Sequence, residues 1–167
     1  SMDRIGPRQR SGTNLRAAAI SATHLLVQRA AFALDIAPEE FEPLEPRLRD
    51  GKPILQIADM LVNGAGFCRR LTETGNNEPL IVELIYSMLN DVEDPIVASF
   101  FDEKHRKECG RSCYRCIQRY GNRGYHGLLD WRLGLSFLRC LFDSEHRVGL
   151  DGSFERYPEL KDWPELA

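Results

Sequence analysis

The sequence predicts an α+β fold, predominantly helical, in which a small β-hairpin or sheet packs on helices and a cysteine-bearing loop precedes a long C-terminal helix. Three observations carry this. A run of apolar residues at helical spacing opens the chain, Asp50-Gly51 separates two short strand-like segments, and Cys109, Cys113 and Cys116 lie close together ahead of a second apolar helix. The 167 residues suit one domain, and 43% hydrophobic with 28% charged residues is the balance of a globular chain with a core of its own.

Residues 1–12 read as a basic arm carrying Gly6 and Pro7, with Ser1-Met2 as the scar of an expression tag, so the chain is expected to be part of something larger. Thr13 or Ser11 can cap a helix whose positions Leu15, Ala18, Ala22, Leu25, Leu26, Ala30 and Ala33 recur at helical spacing. It is expected to end near Leu34-Asp35, before Pro38. Strands are expected around Phe41 to Leu48 and Pro53 to Asp59, joined at Asp50-Gly51. Gly64 and Gly66 bracket Ala65 ahead of a helix. This is a tight strand-to-helix turn more readily than a phosphate cradle, because no Lys-Ser/Thr pair of a nucleotide-hydrolysing loop occurs in the chain.

A helix follows over Pro79 to Asn90 with Leu80, Leu84, Ile85 and Met88 inward. Another begins at Asp94-Pro95, with Ile96, Val97, Phe100 and Phe101 on one face, and runs into the basic EKHRKE. The last helix spans Leu128 to Phe142. The domain proper is thus residues 13–142, and residues 143–167 form an acidic, Pro-bearing tail expected to cover the surface. No apolar run approaches the roughly 18 residues of a membrane span, and the start lacks a secretory leader's apolar stretch. With five cysteines, an odd number, and three of them crowded, a secreted disulfide framework is disfavoured and a reducing, cytoplasmic setting expected.

The pattern Cys109-x3-Cys113-x2-Cys116, with His126 ten positions on, supplies the thiolates and imidazole that tetrahedral zinc accepts within a loop of residues 105–127. His126 is the favoured fourth ligand. His105, four residues before Cys109, and Cys68, beside the glycine turn, are alternatives. Neighbouring cations favour the thiolate form. Cys140 reads as core, His24 and His146 as surface.

Net charge is −3, yet Lys104 to Arg132 holds eight Lys/Arg against Glu108 and Asp130. Within that segment Arg111, Arg115, Arg119 and Arg123 recur every fourth position, with Tyr114, Tyr120 and Tyr125 between or beside them. Cations can hold phosphates and exposed aromatic faces can stack bases, as in single-strand grooves. Equally, such arginines can pair with the acids of Asp35 to Asp50 or with Asp130, and a tyrosine can be a lid over a metal.

The order of capped helix, extended region ending in NGAG, helix, and the cysteine cluster followed by Tyr120-x-Asn122-x3-His126-x2-Leu129-Asp130-x-Arg132 resembles the MrfA-type zinc-binding domain, MZB. That domain lies near the C-terminus of bacterial superfamily-2 helicases and in associated DNA-repair and phage-defence proteins. The LDWRLGL ending is similar to DISARM DrmB-like members. The repair branch builds its site from four cysteines, whereas three cluster here. The resemblance implies structural zinc, a non-catalytic helicase-linked role, and contact with DNA, single-stranded or at a junction, or with a helicase in cis or in trans. The competing class is an enzyme: a nuclease domain using His126 with Asp130, or a thiol redox protein using Cys113 and Cys116. Against these stand the lack of an Asp/Glu metal cluster near His126 and the superfluous third thiol.

Overall fold

The computed structural model describes residues 2–4, 10–61, 64–147, 154–161 and 163. Among them the chain is an α+β, predominantly helical fold with a small antiparallel sheet of order β1-β2-β3. β1 (Met2–Arg4) adds to the outer end of β2, Met2 pairing Arg49 and Arg4 pairing Arg47. Part of the expected arm is therefore sheet; residues 5–9 lie outside the described residues.

Helix α1 (Arg10–Leu34) starts before Ser11 and Thr13, which fall inside its first turn and whose side chains lie outside the described residues. It ends where expected, but for a more local reason than Pro38. Asp35 takes a left-handed conformation (φ 55°), Ile36 N–H donates to the Ala31 carbonyl at 3.0 Å and Asp35 N–H to Phe32 at 3.3 Å, the paired bonds of a Schellman stop. Asn14–Leu34 is long and apolar enough to cross a membrane, contrary to expectation, but most of that stretch is buried against the rest of the fold. The same composition that lipid would accept serves here as the central core helix.

β2 (Phe41–Arg49) and β3 (Lys52–Asp59) form the predicted hairpin. Asp50 and Gly51 both have positive φ, at 52° and 75°, which matches the turn to the twist of the strands. The register shifts between Leu44 and Arg47, so Glu45 and Pro46 bulge out of the ladder. Among the described residues β1 pairs only Arg47 to Arg49, so Pro43 and Pro46 lie beyond its ladder.

The glycine turn then leads into α2 (Phe67–Thr72). Its cradle is already filled: the Asp59 carboxylate accepts from Gly66 N–H at 3.1 Å and Cys68 N–H at 2.8 Å, and a Cβ on Gly64 would fall 2.7 Å from Asp59 Oδ2. The turn closes on an anion of its own, which also holds the Asp59 carboxyl below its ordinary range, chiefly through Cys68 N–H.

α3 (Leu80–Asn90) buries Leu84, Ile85 and Met88 as predicted. The single helix expected from Asp94 is broken in two, a 3₁₀ turn at Ala98–Phe101 and α4 (Glu103–Glu108). Two carboxylates explain the break. Buried Asp94 accepts from Ile96 and Val97 N–H, Ser87 Oγ and Arg29 Nε, while Asp102 caps α4 by accepting from His105 N–H at 3.2 Å.

α5 (Trp131–Cys140) starts three residues later than expected because Asp130 caps it, accepting from Arg132 and Leu133 N–H. It packs on α1, where Leu25, Leu26, Leu135 and Leu138 share the principal core. The approach is close at Gly134: a Cβ there would lie 2.7 Å from Leu25 Cδ1 and 3.0 Å from the Ser21 backbone. Cys140, expected in the core, is exposed at the helix end, and His24 and His146, expected at the surface, are buried. The tail does more than cover: Leu160 and Glu159 are fully buried, and Arg139 donates to both carboxylate oxygens of Glu159 at 2.7 and 2.9 Å. Residues 148–153, 162 and 164–167 of the tail lie outside the described residues.

Candidate metal centre and the loop around it

The end of α4 brings two donors onto one face, since residues four apart on a helix are neighbours. His105 lies on α4 and Cys109 caps its C-terminus; the chain then turns through Cys113 and Cys116. His105 Nε2 and the sulfurs of Cys109, Cys113 and Cys116 all lie within 4.8 Å of one another. Cys116 Sγ stands 3.8 Å from both Cys109 Sγ and Cys113 Sγ, and Cys113 Sγ 3.4 Å from His105 Nε2.

These three separations match the edges of a tetrahedral zinc site. Sulfur at about 2.3 Å and nitrogen at about 2.0 Å from zinc put S···S at about 3.8 Å and S···N at about 3.5 Å. A disulfide, with sulfurs about 2.05 Å apart, is far from this geometry. The imidazole is oriented to ligate. Its Nδ1 lies 2.9 Å from the Phe100 carbonyl, which can only accept, so Nδ1 carries the proton and Nε2 presents a lone pair to the sulfurs. The Trp131 ring packs 5.8 Å from that of His105, and only Cys113 of the four is partly exposed.

The thiols are coupled. Cys116 is held down to about 5, first by its hydrogen bond with the Cys109 thiol and then by backbone N–H groups of Cys113 and Ile117. Cys109 is pushed up by the same hydrogen bond, by burial and by the Cys116 charge. Metal-free, the cluster thus holds at least one thiolate stabilised by neighbouring donors, ready to ligate.

The fourth group is His105, and the favoured candidate His126 is elsewhere. His126 Nε2 lies 3.0 Å from both the Arg119 carbonyl and Asn122 Oδ1, two acceptors, so it carries a proton and has no lone pair for a metal. Cys68 is also outside the group. Its Sγ donates to the Ile57 carbonyl, and burial with the Asp59 charge pushes the thiol up to about 12. What could have singled out His105 is its place four residues before Cys109 on a helix, nearer in sequence than His126.

The motif after the cysteines is scaffolding for this knuckle. Buried Asn122 accepts from Arg119 N–H at 2.7 Å and donates to the Ile117 carbonyl at 2.8 Å. Asp130 caps α5, Leu129 is in the core, and the buried Arg132 guanidinium donates to the carbonyls of Cys109, Gly110 and Arg106, tying α5 to the metal loop. Asp130 and His126, the pair expected in a nuclease, are therefore both engaged in local structure. The redox pair Cys113 and Cys116 belongs to the metal group.

Of the seven residues expected to face nucleic acid, two are absorbed by the fold. Arg119 donates through Nη1 to the carbonyls of Cys116 and Gln118 and through Nη2 to Gln28 Oε1, and Tyr125 packs against His24 with its hydroxyl on Glu45 of the β2 bulge. The other five are exposed. Arg123 stacks 4.3 Å over the Tyr120 ring, which is 73% exposed; Tyr114 stands edge-on to His126. Arg115 pairs with Glu108, and Arg111 lies 4.0 Å from Asp130.

No protein-family model, curated protein or solved structure matches this chain. The four donors, their spacing and the oriented imidazole make a site positioned to hold a metal ion and compatible with zinc.

Proposed function

We propose that this chain is a zinc-stabilised, non-catalytic module that presents an exposed Tyr120–Arg123 stack, with Tyr114, Arg111 and Arg115, to single-stranded nucleic acid. The observation that carries the zinc half is the His105/Cys109/Cys113/Cys116 tetrad, with edge lengths suited to zinc and Nδ1 of His105 secured on Phe100. Four protein ligands leave zinc no position for a reacting water, which is the pattern of a structural site. The metal would tie α4 to the loop and so to α5, contributing about 10 kcal/mol to the apparent folding free energy.

The nucleic-acid half rests on the exposed stack. A guanidinium already seated over a tyrosine ring offers an aromatic platform and a phosphate-binding cation together, and base stacking on such a platform contributes about 1–3 kcal/mol per base. The resemblance to the MZB pattern extends this reading to an accessory part of a helicase-linked repair or defence system acting in a bacterial cytoplasm. Metal content of reduced protein, together with salt-dependent binding of a single strand by wild type, Tyr120→Ala and Arg123→Ala, tests it. One zinc per chain and binding weakened in both variants are expected. Full affinity in both variants would transfer the loop's role to protein docking.

A further inference from the structure

A cavity of about 160 Å³ opens beside the same loop, between α1, the start of β2 and residues 119–122. At roughly 30 Å³ per water it has room for about five waters, the space of one planar ring system rather than of a larger ligand. Its lining is apolar at Val27, Phe41 and Met60 and polar at His24, Arg119 and Glu39; Gly121, next to Tyr120, lines it as well.

The hydrogen bonds around His24 leave one donor over. Asn122 Oδ1 must accept from Arg119 N–H, which fixes the amide so that Nδ2 points to the Ile117 carbonyl and, at 3.5 Å, to His24 Nδ1. Because an amide nitrogen only donates, His24 Nδ1 accepts and the imidazole proton resides on Nε2. No hydrogen bond to that Nε2–H is found among the described residues, and the His24 ring lines the cavity. Burial first, and then the neighbouring His126, lower the His24 pKa to about 4, so at neutral pH the ring is an uncharged donor. The cavity therefore combines apolar side chains with a neutral imidazole, and Gly121, the chain neighbour of the exposed Tyr120, lines it.

We infer that this cavity receives one unstacked nucleobase of a strand lying across Tyr120 and Arg123, the ring against Phe41 and Val27 and a keto or ring-nitrogen acceptor on His24 Nε2–H. This rests on the nucleic-acid reading of the loop. Bases splayed from single strands are held in this way, between apolar or aromatic faces with a few donors on their edges. An aliphatic side chain from a protein partner would leave the His24 donor unanswered, which favours the base.

Gly121 offers a clean test, since a Cβ there would meet no atom within 4 Å and a larger side chain can obstruct the cavity without a clash at its first carbon. Zinc-loaded wild-type chain and Gly121→Leu are titrated with a fluorescent single strand of about a dozen nucleotides containing all four bases, and the His24 ring is followed by NMR. The expected result is about tenfold weaker binding by Gly121→Leu, with the His24 signals shifting on strand addition in wild type only. Equal affinity with unmoved His24 signals overturns the base pocket while leaving the stack reading intact. No binding by wild type overturns both. Shifts of His24 with N-acetyl-leucinamide but not with the strand would assign the cavity to a protein side chain and likewise overturn the proposal.

Discussion

His105 Nδ1 lies 2.9 Å from the Phe100 carbonyl, and this one contact turns the opposite ring nitrogen toward Cys113 Sγ, 3.4 Å away. A histidine donates to a backbone carbonyl in many proteins without binding anything. Here the freed lone pair completes a set of three sulfurs at zinc-compatible spacing.

The ligand assignment makes a sharp distinction between the two histidines of the loop. His105→Gln is expected to lower zinc affinity by more than the roughly 10–100-fold typical of losing an outer partner of a ligand. His126→Gln should keep one zinc per chain, since its Nε2 proton serves Arg119 and Asn122. Competition against a chromophoric chelator measures both. Loss of zinc in His126→Gln with retention in His105→Gln would reverse the assignment.

Affinity for the metal should rise with pH. Cys116, held to about 5, is already a thiolate at neutral pH, but Cys109 is pushed above its ordinary value and keeps its proton until a metal displaces it. Each proton expelled gives about a tenfold gain in affinity per pH unit. The sign is therefore loss of zinc, and of the stability it confers, on acidification. Chelator competition at several pH values between 5 and 8 checks the slope; a flat profile would contradict protonated Cys109.

Arg119 and Arg123 look equivalent in the four-residue repeat but should behave oppositely. Arg119→Ala removes hydrogen bonds to the Cys116 and Gln118 carbonyls and to Gln28, and about 2–3 kcal/mol of stability is expected to go with them. Arg123→Ala should leave the melting temperature nearly unchanged and weaken strand binding, because its guanidinium lies on the exposed Tyr120 ring. Thermal unfolding beside binding titrations separates the two. Weakened binding by Arg119→Ala at full stability would return that residue to the binding surface.

Periodicity and turn chemistry made α1, the hairpin and α3 legible, because each is decided by residues near in sequence: apolar spacing, Asp50-Gly51, Leu84 with Ile85 and Met88. The cysteine cluster was legible for the same reason. His126 was not separable from His105, since the difference lies in which ring nitrogen another part of the chain engages, Phe100 for one and Arg119 with Asn122 for the other. Nor could spacing show that Arg119 turns inward to Gln28 on α1, ninety-one residues away. Buried Arg132 and Glu159 were hidden likewise, their partners being backbone carbonyls and Arg139 on other elements.

The contact between α1 and α5 yields the last prediction. Gly134 costs α5 about 1 kcal/mol in helix propensity relative to alanine, so an exposed Gly→Ala change there would stabilise. At this position the added Cβ would meet Leu25 Cδ1 at 2.7 Å, the Ser21 carbonyl carbon at 3.0 Å and Ala22 N at 3.1 Å. Leucine can rotate away, but the α1 backbone cannot yield without moving Ser21, whose Oγ accepts from Asp130 N–H at the cap of α5. Overpacking of this kind costs about 1–3 kcal/mol and outweighs the propensity gain. Gly134→Ala is thus expected to destabilise by about 1–2 kcal/mol in denaturant unfolding, and Gly134→Val by more. Because Asp130 and Arg132 link this seam to the carbonyls of the metal loop, zinc affinity should fall together with stability. A Gly134→Ala chain as stable as wild type would show that the two helices have room to separate.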